Sequence, residues 1–134
     1  MLEKIIYPEL SYKVTGLCFQ AQNELGRFAK EKQYAERLEQ LFKASGVQYA
    51  REVSIPFKQS EYEVGGNIAD FIVEGKIILE CKAKRLVTRQ DYYQAQRYLN
   101  ATNIKLGLIV NFRDRYVKPK RVINYSQHSH SFVN

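Results

Sequence analysis

The sequence predicts an α/β domain built on a mixed β-sheet flanked by helices, in the element order α-α-β-β-β-α-β-β. Three observations carry this. Apolar residues recur at helical spacing through the first third of the chain, β-branched and partly alternating runs with turn residues follow, and a helical stretch then separates the last apolar strand from the others. A helix between two strands is a crossover, so the strand after it is expected to run parallel to one member of the preceding hairpin.

From Ser11 the residues Val14, Leu17, Cys18, Ala21 and Leu25 repeat at helical spacing, and Gly26 breaks or bends the helix. A second helix is expected over 28–44, with Tyr34, Leu38, Leu41 and Phe42 on its apolar face and Ser45-Gly46 closing it. Residues 47–57 read as a first strand, stopped near Pro56, and Gly65-Gly66 follow a polar link. Strands over 68–73 and 76–83 flank Glu74-Gly75, a common tight-turn pair. Thr88 is a plausible N-cap with Asp91 three residues on, opening a helix over 88–101 whose inward stripe is Tyr92, Ala95 and Leu99. Residues 106–110 form a short buried strand ending at Asn111-Phe112, and 118–123 an edge strand, because Pro119 argues against a central position. The whole chain, 1–134, reads as one domain with a loose polar tail over 124–134.

At 134 residues and 45% hydrophobic, the chain is long enough to bury a core without disulfides or metals holding it together. No apolar run approaches the roughly 18 to 20 residues of a membrane span, and the first residues lack the pattern of a signal peptide, so a soluble cytoplasmic protein is expected. Cys18 and Cys81 fall on faces that read as buried, which suits free core thiols. The net charge of +7 favours a polyanionic partner.

Glu80-Cys81-Lys82 ends the apolar run Ile77-Ile78-Leu79, ten residues beyond Asp70. Strand alternation puts Glu80 and Lys82 on the face of Ile78, with Cys81 on the face of Ile77 and Leu79. Two carboxylates and an ammonium suit phosphodiester hydrolysis, in which acidic oxygens hold a hard cation such as Mg²⁺ and a lysine polarises water or neutralises developing charge. The competing reading is a strand end entering solvent with an ordinary Glu and Lys on it. Register separates the two. A two-residue turn at Glu74-Gly75 sets Asp70 opposite Leu79, facing away from Glu80, whereas a three-residue loop or a bulge sets it opposite Glu80.

Basic residues are dense on both sides of the last helix. Lys84, Arg85 and Arg89 follow the site strand, and Arg113, Arg115, Lys118, Lys120 and Arg121 follow the last core strand. Tyr92, Tyr93, Tyr98 and Tyr116 are interleaved and offer rings for stacking on bases or sugars, in a groove whose phosphate contacts would be salt-sensitive. The alternative is a solvated positive face with half-buried tyrosines. His128 and His130 lie in the polar tail and read as tail residues rather than ligands.

The strand order, with Asp70 on the second strand and Glu80-Cys81-Lys82 on the third, resembles the restriction-endonuclease-like core of the PD-(D/E)XK nuclease superfamily, and more narrowly the GxxExxY proteins placed within it. Further matching residues are Gly26, Glu31 and Tyr34, then Asn67-Ile68-Ala69-Asp70 with Val73-Glu74-Gly75-Lys76, then Gln94 with Tyr98-Leu99, and Leu106-Gly107-Leu108-Ile109-Val110-Asn111-Phe112. The chain departs at Phe28, where the narrower family has glycine. The resemblance implies a nuclease fold acting on DNA or RNA with Mg²⁺ (or Mn²⁺) held by Asp70, Glu80 and the Cys81 carbonyl, and with Lys82 beside the attacking water. It further implies that Glu31 adds a carboxylate near the cation and that Gln94 reaches the site from the following helix. A non-catalytic nucleic-acid-binding or protein-interaction module that keeps the fold is the alternative, and a homo-oligomer or a place in a larger assembly is compatible with so small a core.

Overall fold

The computed structural model describes residues 5–56 and 67–125. Helix α1 (Pro8–Leu25) opens with proline in its first turn, where no backbone donor is lost, and ends at Gly26, whose φ of 78° suits a residue without a Cβ. Helix α2 (Glu31–Ala44) starts three residues later than its apolar periodicity suggests. Lys30 is extended, and its N–H donates to the Gln33 side chain. Just before it, the Tyr34 hydroxyl donates to the Gly26 carbonyl and accepts from the Ala29 N–H, which holds residues 26–30 as a tight loop rather than a helical turn.

Strands β1 (Tyr49–Ser54), β2 (Ile68–Val73), β3 (Ile77–Lys82), β4 (Leu106–Asn111) and β5 (Lys120–Ile123) form one sheet in sequence order. Helix α3 (Arg89–Thr102) is the crossover between β3 and β4, which pair in parallel; every other neighbouring pair is antiparallel. β5 pairs only with β4 and is the edge that Pro119 predicts. The expected mixed sheet and its element order are therefore observed.

Two apolar layers sandwich the sheet. Val14, Cys18, Tyr34, Leu38 and Phe42 from α1 and α2 pack on Phe71, Ile77, Leu79, Cys81, Leu108 and Val110. On the other face Ala95, Tyr98 and Leu99 of α3 pack on Ala69, Ile78, Ile109 and Val122. Ile77, Leu79 and Cys81 thus face α1 and α2 while Ile78 faces α3, as β3 alternation requires. Both thiols are buried and free.

The expected tail at Asn124 needs correction. Asn124 is buried, its N–H donates to the Lys105 carbonyl, and its side-chain amide donates to the carbonyls of Leu99 and Ile104. A polar residue closes the end of α3 there rather than opening a loose segment. Phe57, Gly65-Gly66, His128 and His130 lie outside the described residues. Among the described residues, no helix is long and apolar enough to cross a membrane.

Candidate functional site

The hairpin between β2 and β3 turns through three residues. Val73 pairs with Ile77, the Lys76 N–H donates to the Val73 carbonyl, and Glu74 and Gly75 both have positive φ, at 55° and 64°. Glu74 is held in this uncommon conformation by Gln48, the residue just before β1: its N–H donates to the Gln48 carbonyl and its carboxylate accepts from the Gln48 N–H. The extra residue shifts the register by one, so that continuing the pairs Phe71 with Leu79 and Ile72 with Ile78 sets Asp70 across from Glu80.

At that point the sheet splits. β2 stays paired with β1 as far as Ile68, and β3 stays paired with β4 as far as Lys82, but the ladder between β2 and β3 stops at Phe71 and Leu79. Side chains supply the next rungs. The Asp70 N–H donates to Glu80 Oε2 at 3.0 Å, and the Cys81 N–H donates to Asp70 Oδ2 at 2.7 Å. Two carboxylates thus stand where backbone carbonyls would, at the mouth of a notch. The alternation of β2 changes there as well: Ala69 packs towards α3 and Phe71 towards α1 and α2, although residues two apart normally share a face. β1 changes face beside it, at Glu52, whose φ is 53°. Tyr49 lies in the α1 and α2 layer, whereas Val53 and Ile55 lie against α3.

Glu80 is only 4% exposed. Burial first, and the neighbouring Asp70 carboxylate second, push its carboxyl up to about 8, against the opposing pull of the Asp70 N–H and Lys82. Lys82 shares the α3 side with Glu80, and its Nζ lies 3.8 Å from Asp91 Oδ1 at the start of α3. Asp91 also takes the Lys84 ammonium at 2.5 Å and accepts from the Thr88 N–H, which completes the capping box. Burial works to raise the Asp91 carboxyl, but Lys84, the Thr88 N–H and Lys82 together hold it below the usual carboxylate range.

Asp70 also borders a cavity of about 280 Å³ with Glu31, Lys32, Ala35, Arg51, Glu52 and Cys81. Glu31 lines this cavity from the first turn of α2. Glu52 is a carboxylate the sequence reading did not single out. Its only sequence sign was its place in a strand that alternates in part, beside the break at Arg51 between Tyr49 and Val53. Gln94 is half-buried on the face of α3 that carries Asp91 and Ala95, and it makes no hydrogen bond among the described residues.

The basic residues divide by what they touch. Arg85 and Arg89 are exposed near the N-terminus of α3. Lys84 is bound to Asp91, and its backbone N–H and carbonyl are both held by the Asn111 side chain. Arg113 donates to the Arg27 carbonyl, and Arg115 lies over the Tyr116 ring. Arg121 is committed to the fold, donating to Ser11 and to the Ile6 carbonyl. Tyr98 corrects an expectation. It is fully buried in the α3 layer, where the nearby Glu80 and Asp70 carboxylates add to burial in raising its hydroxyl, so its ring has no face to offer a base.

Two adjoining carboxylates give hard oxygen donors, and the Cys81 carbonyl leaves β3 on the same side as the N–H that meets Asp70. Among the described residues no three acidic, histidine or cysteine side chains converge as a complete cage. A set of one or two carboxylates supplemented by carbonyl and water fits Mg²⁺, which keeps much of its hydration, better than a fully dehydrated ion.

No curated protein and no solved structure matches the chain. A family-wide sequence model does, over residues 8–123, from the first turn of α1 to the end of β5. With that match spanning every described strand and helix, the chain belongs to the PD-(D/E)XK nuclease superfamily.

Proposed function

We propose that the notch between β2 and β3 is the reaction centre of a metal-dependent phosphodiesterase acting on DNA or RNA, of the GxxExxY type. The observation that carries this reading is the placement of Asp70 across from Glu80, which the three-residue turn produces and a two-residue turn would forbid. Asp70, Glu80 and the Cys81 carbonyl would hold Mg²⁺ or Mn²⁺. When bound, such an ion polarises a phosphoryl oxygen and lowers the pKa of a coordinated water.

The chain's own residues do the rest. The Asp70 and Cys81 N–H groups fix the two carboxylates before any ligand arrives, so little side-chain entropy remains to be lost there. Glu80 carries a proton at neutral pH and must release it to act as an anionic ligand. Lys82, turning from Asp91 towards the notch, would orient a water or neutralise charge on the departing oxygen. Glu31 lines the cavity beside Asp70 from α2, Gln94 would reach the centre from α3, and Lys84, Arg85, Arg89, Arg113 and Arg115 would supply phosphate contacts on either side.

A second reading, a binding module that retains the fold, is favoured by one observation: the Lys82 ammonium lies beside Asp91. Cleavage of labelled single-stranded and duplex DNA and RNA with Mg²⁺, Mn²⁺ or chelator separates the two. Metal-dependent cleavage lost in both Asp70→Asn and Lys82→Ala supports the enzyme, and contaminating nuclease would survive both substitutions. Binding without cleavage in the wild type leaves the module.

A further inference from the structure

We infer that the loop between α1 and α2 forms a stacking platform for an unpaired nucleobase, centred on Phe28. This rests on the nucleic-acid reading above and names the form of nucleic acid: single-stranded, or locally opened. Phe28 is 76% exposed, an unusual state for a phenylalanine in a folded domain. Two guanidiniums lie over its ring, Arg27 at 5.2 Å and Arg113 at 5.3 Å from the centroid. Each arginine is fixed by the other's backbone, since Arg27 Nε donates to the Arg113 carbonyl and Arg113 Nε donates to the Arg27 carbonyl.

The loop beneath the ring is equally constrained. Tyr34, fully buried, ties Gly26 to Ala29 through its hydroxyl and stacks on Phe112 at 4.2 Å and 9°. Phe112 directly precedes Arg113, so one stacked pair supports both halves of the cluster. An exposed ring on a loop braced in this way is preorganised for a partner, and the cost of ordering it has already been met by the fold.

The chemistry of the surroundings selects the partner. Arg27, Lys30, Lys32, Arg113 and Arg115 bring positive charge, against Glu31 and Asp114 on the same two segments, within a chain of net charge +7. An aromatic ring among arginines matches a base with its flanking phosphates, because every base has a π face and guanidinium planes stack as well. A base within a duplex has both faces covered by its neighbours, so the platform reads an unpaired one. Its place is suited to the notch: Phe28 is three residues before Glu31, which borders the cavity with Asp70, and Arg113 is two residues beyond Asn111, the register partner of Lys82.

The test uses the absence of tryptophan from the chain. Phe28→Trp introduces a single indole at the platform, and Phe28→Ala removes the ring from an exposed position. Binding of oligothymidylate and of a duplex of equal length is measured in chelator, so that cleavage plays no part. We expect Phe28→Ala to weaken single-strand binding about 5- to 150-fold, with duplex binding and the salt dependence unchanged. Phe28→Trp should retain the affinity, with its emission quenched on binding. Single-strand affinity within twofold of wild type in Phe28→Ala, or an indole that is not quenched, overturns the platform, as does a wild type that binds no oligonucleotide. Failure of the catalytic reading is distinguishable: quenching in Phe28→Trp and the loss of affinity in Phe28→Ala would persist in a protein that never cleaves.

Discussion

Asp70 and Glu80 meet across the split in the sheet, with the Asp70 N–H donating to Glu80 Oε2 and the Asp70 carboxylate accepting from the residue after Glu80. Each carboxylate is oriented by the other strand's backbone, so the pair is a product of register. A two-residue connection, pairing Val73 with Lys76, would instead have set Asp70 opposite Leu79 and on the other face from Glu80. We expect Asp70→Ala, which removes one carboxylate of the pair and leaves the turn untouched, to abolish metal binding measured by calorimetry, while far-UV circular dichroism stays close to wild type.

The burial of Glu80 makes stability depend on pH in a defined direction. The folded carboxyl titrates at about 8 and the unfolded one near 4.5, so the folded state holds an extra proton between those values. The stabilisation is complete below about pH 4.5 and is lost as pH rises through about 8. The slope in that window approaches about 1.4 kcal/mol per pH unit from this group. Urea denaturation from pH 5 to 9 measures it, and Glu80→Gln, neutral at every pH and still able to accept from the Asp70 N–H, should flatten the curve. A slope unchanged in Glu80→Gln would remove Glu80 as its source.

The same proton links metal binding to pH. An anionic Glu80 ligand requires release of the proton that the metal-free protein carries at pH 7. Calorimetric titration of Mg²⁺ at pH 7 in two buffers of different ionisation enthalpy should report release of close to one proton, falling towards zero above pH 9. Affinity should rise with pH up to about 8 and level off beyond. Glu80→Gln should bind weakly, with no proton release.

The sequence carried the element order and the site's composition but not its shape. Helical spacing in α1 and α2, the Thr88 and Asp91 capping pair and Pro119 at the edge are local signals, and each marks an element that forms, although α2 begins three residues later than its spacing suggests. The third turn residue was undecided because Glu74-Gly75 suits either loop length, and the turn is held from a distance by Gln48, just before β1. Glu52 escaped notice because a left-handed glutamate within an alternating strand has no sequence mark. Tyr98 read as a surface ring because its helix is polar overall, whereas the sheet covers the stripe it occupies. Asn111 was seen only as the end of a strand, yet its amide pins Lys84 from 27 residues away.

That amide offers a stability measurement. Asn111 is 2% exposed, and it both accepts from the Lys84 N–H and donates to the Lys84 carbonyl, joining the end of β4 to the segment that leads from Lys82 into α3. Asn111→Ala strands a backbone donor and acceptor, at a cost of about 1–3 kcal/mol in urea denaturation. Asn111→Asp keeps the acceptor and loses the donor, so it should fall between the two.

Asp91 joins the fold to the chemistry, because one carboxylate caps α3 and binds both Lys82 and Lys84. Two substitutions separate these roles. Asp91→Asn can still accept from the Thr88 N–H but removes the charge, so stability should change by less than about 1 kcal/mol, whereas Asp91→Ala loses the cap as well and should cost about 1–2 kcal/mol. If Lys82 serves the notch, freeing it from Asp91 alters nucleic-acid cleavage in both variants alike, in contrast to their stabilities. Cleavage that instead tracks stability across the pair would assign Asp91 to the helix cap alone. Parallel rates of lysine acetylation, read by mass spectrometry on the folded proteins, give an independent check: Lys82 and Lys84 should both react faster in Asp91→Asn than in the wild type.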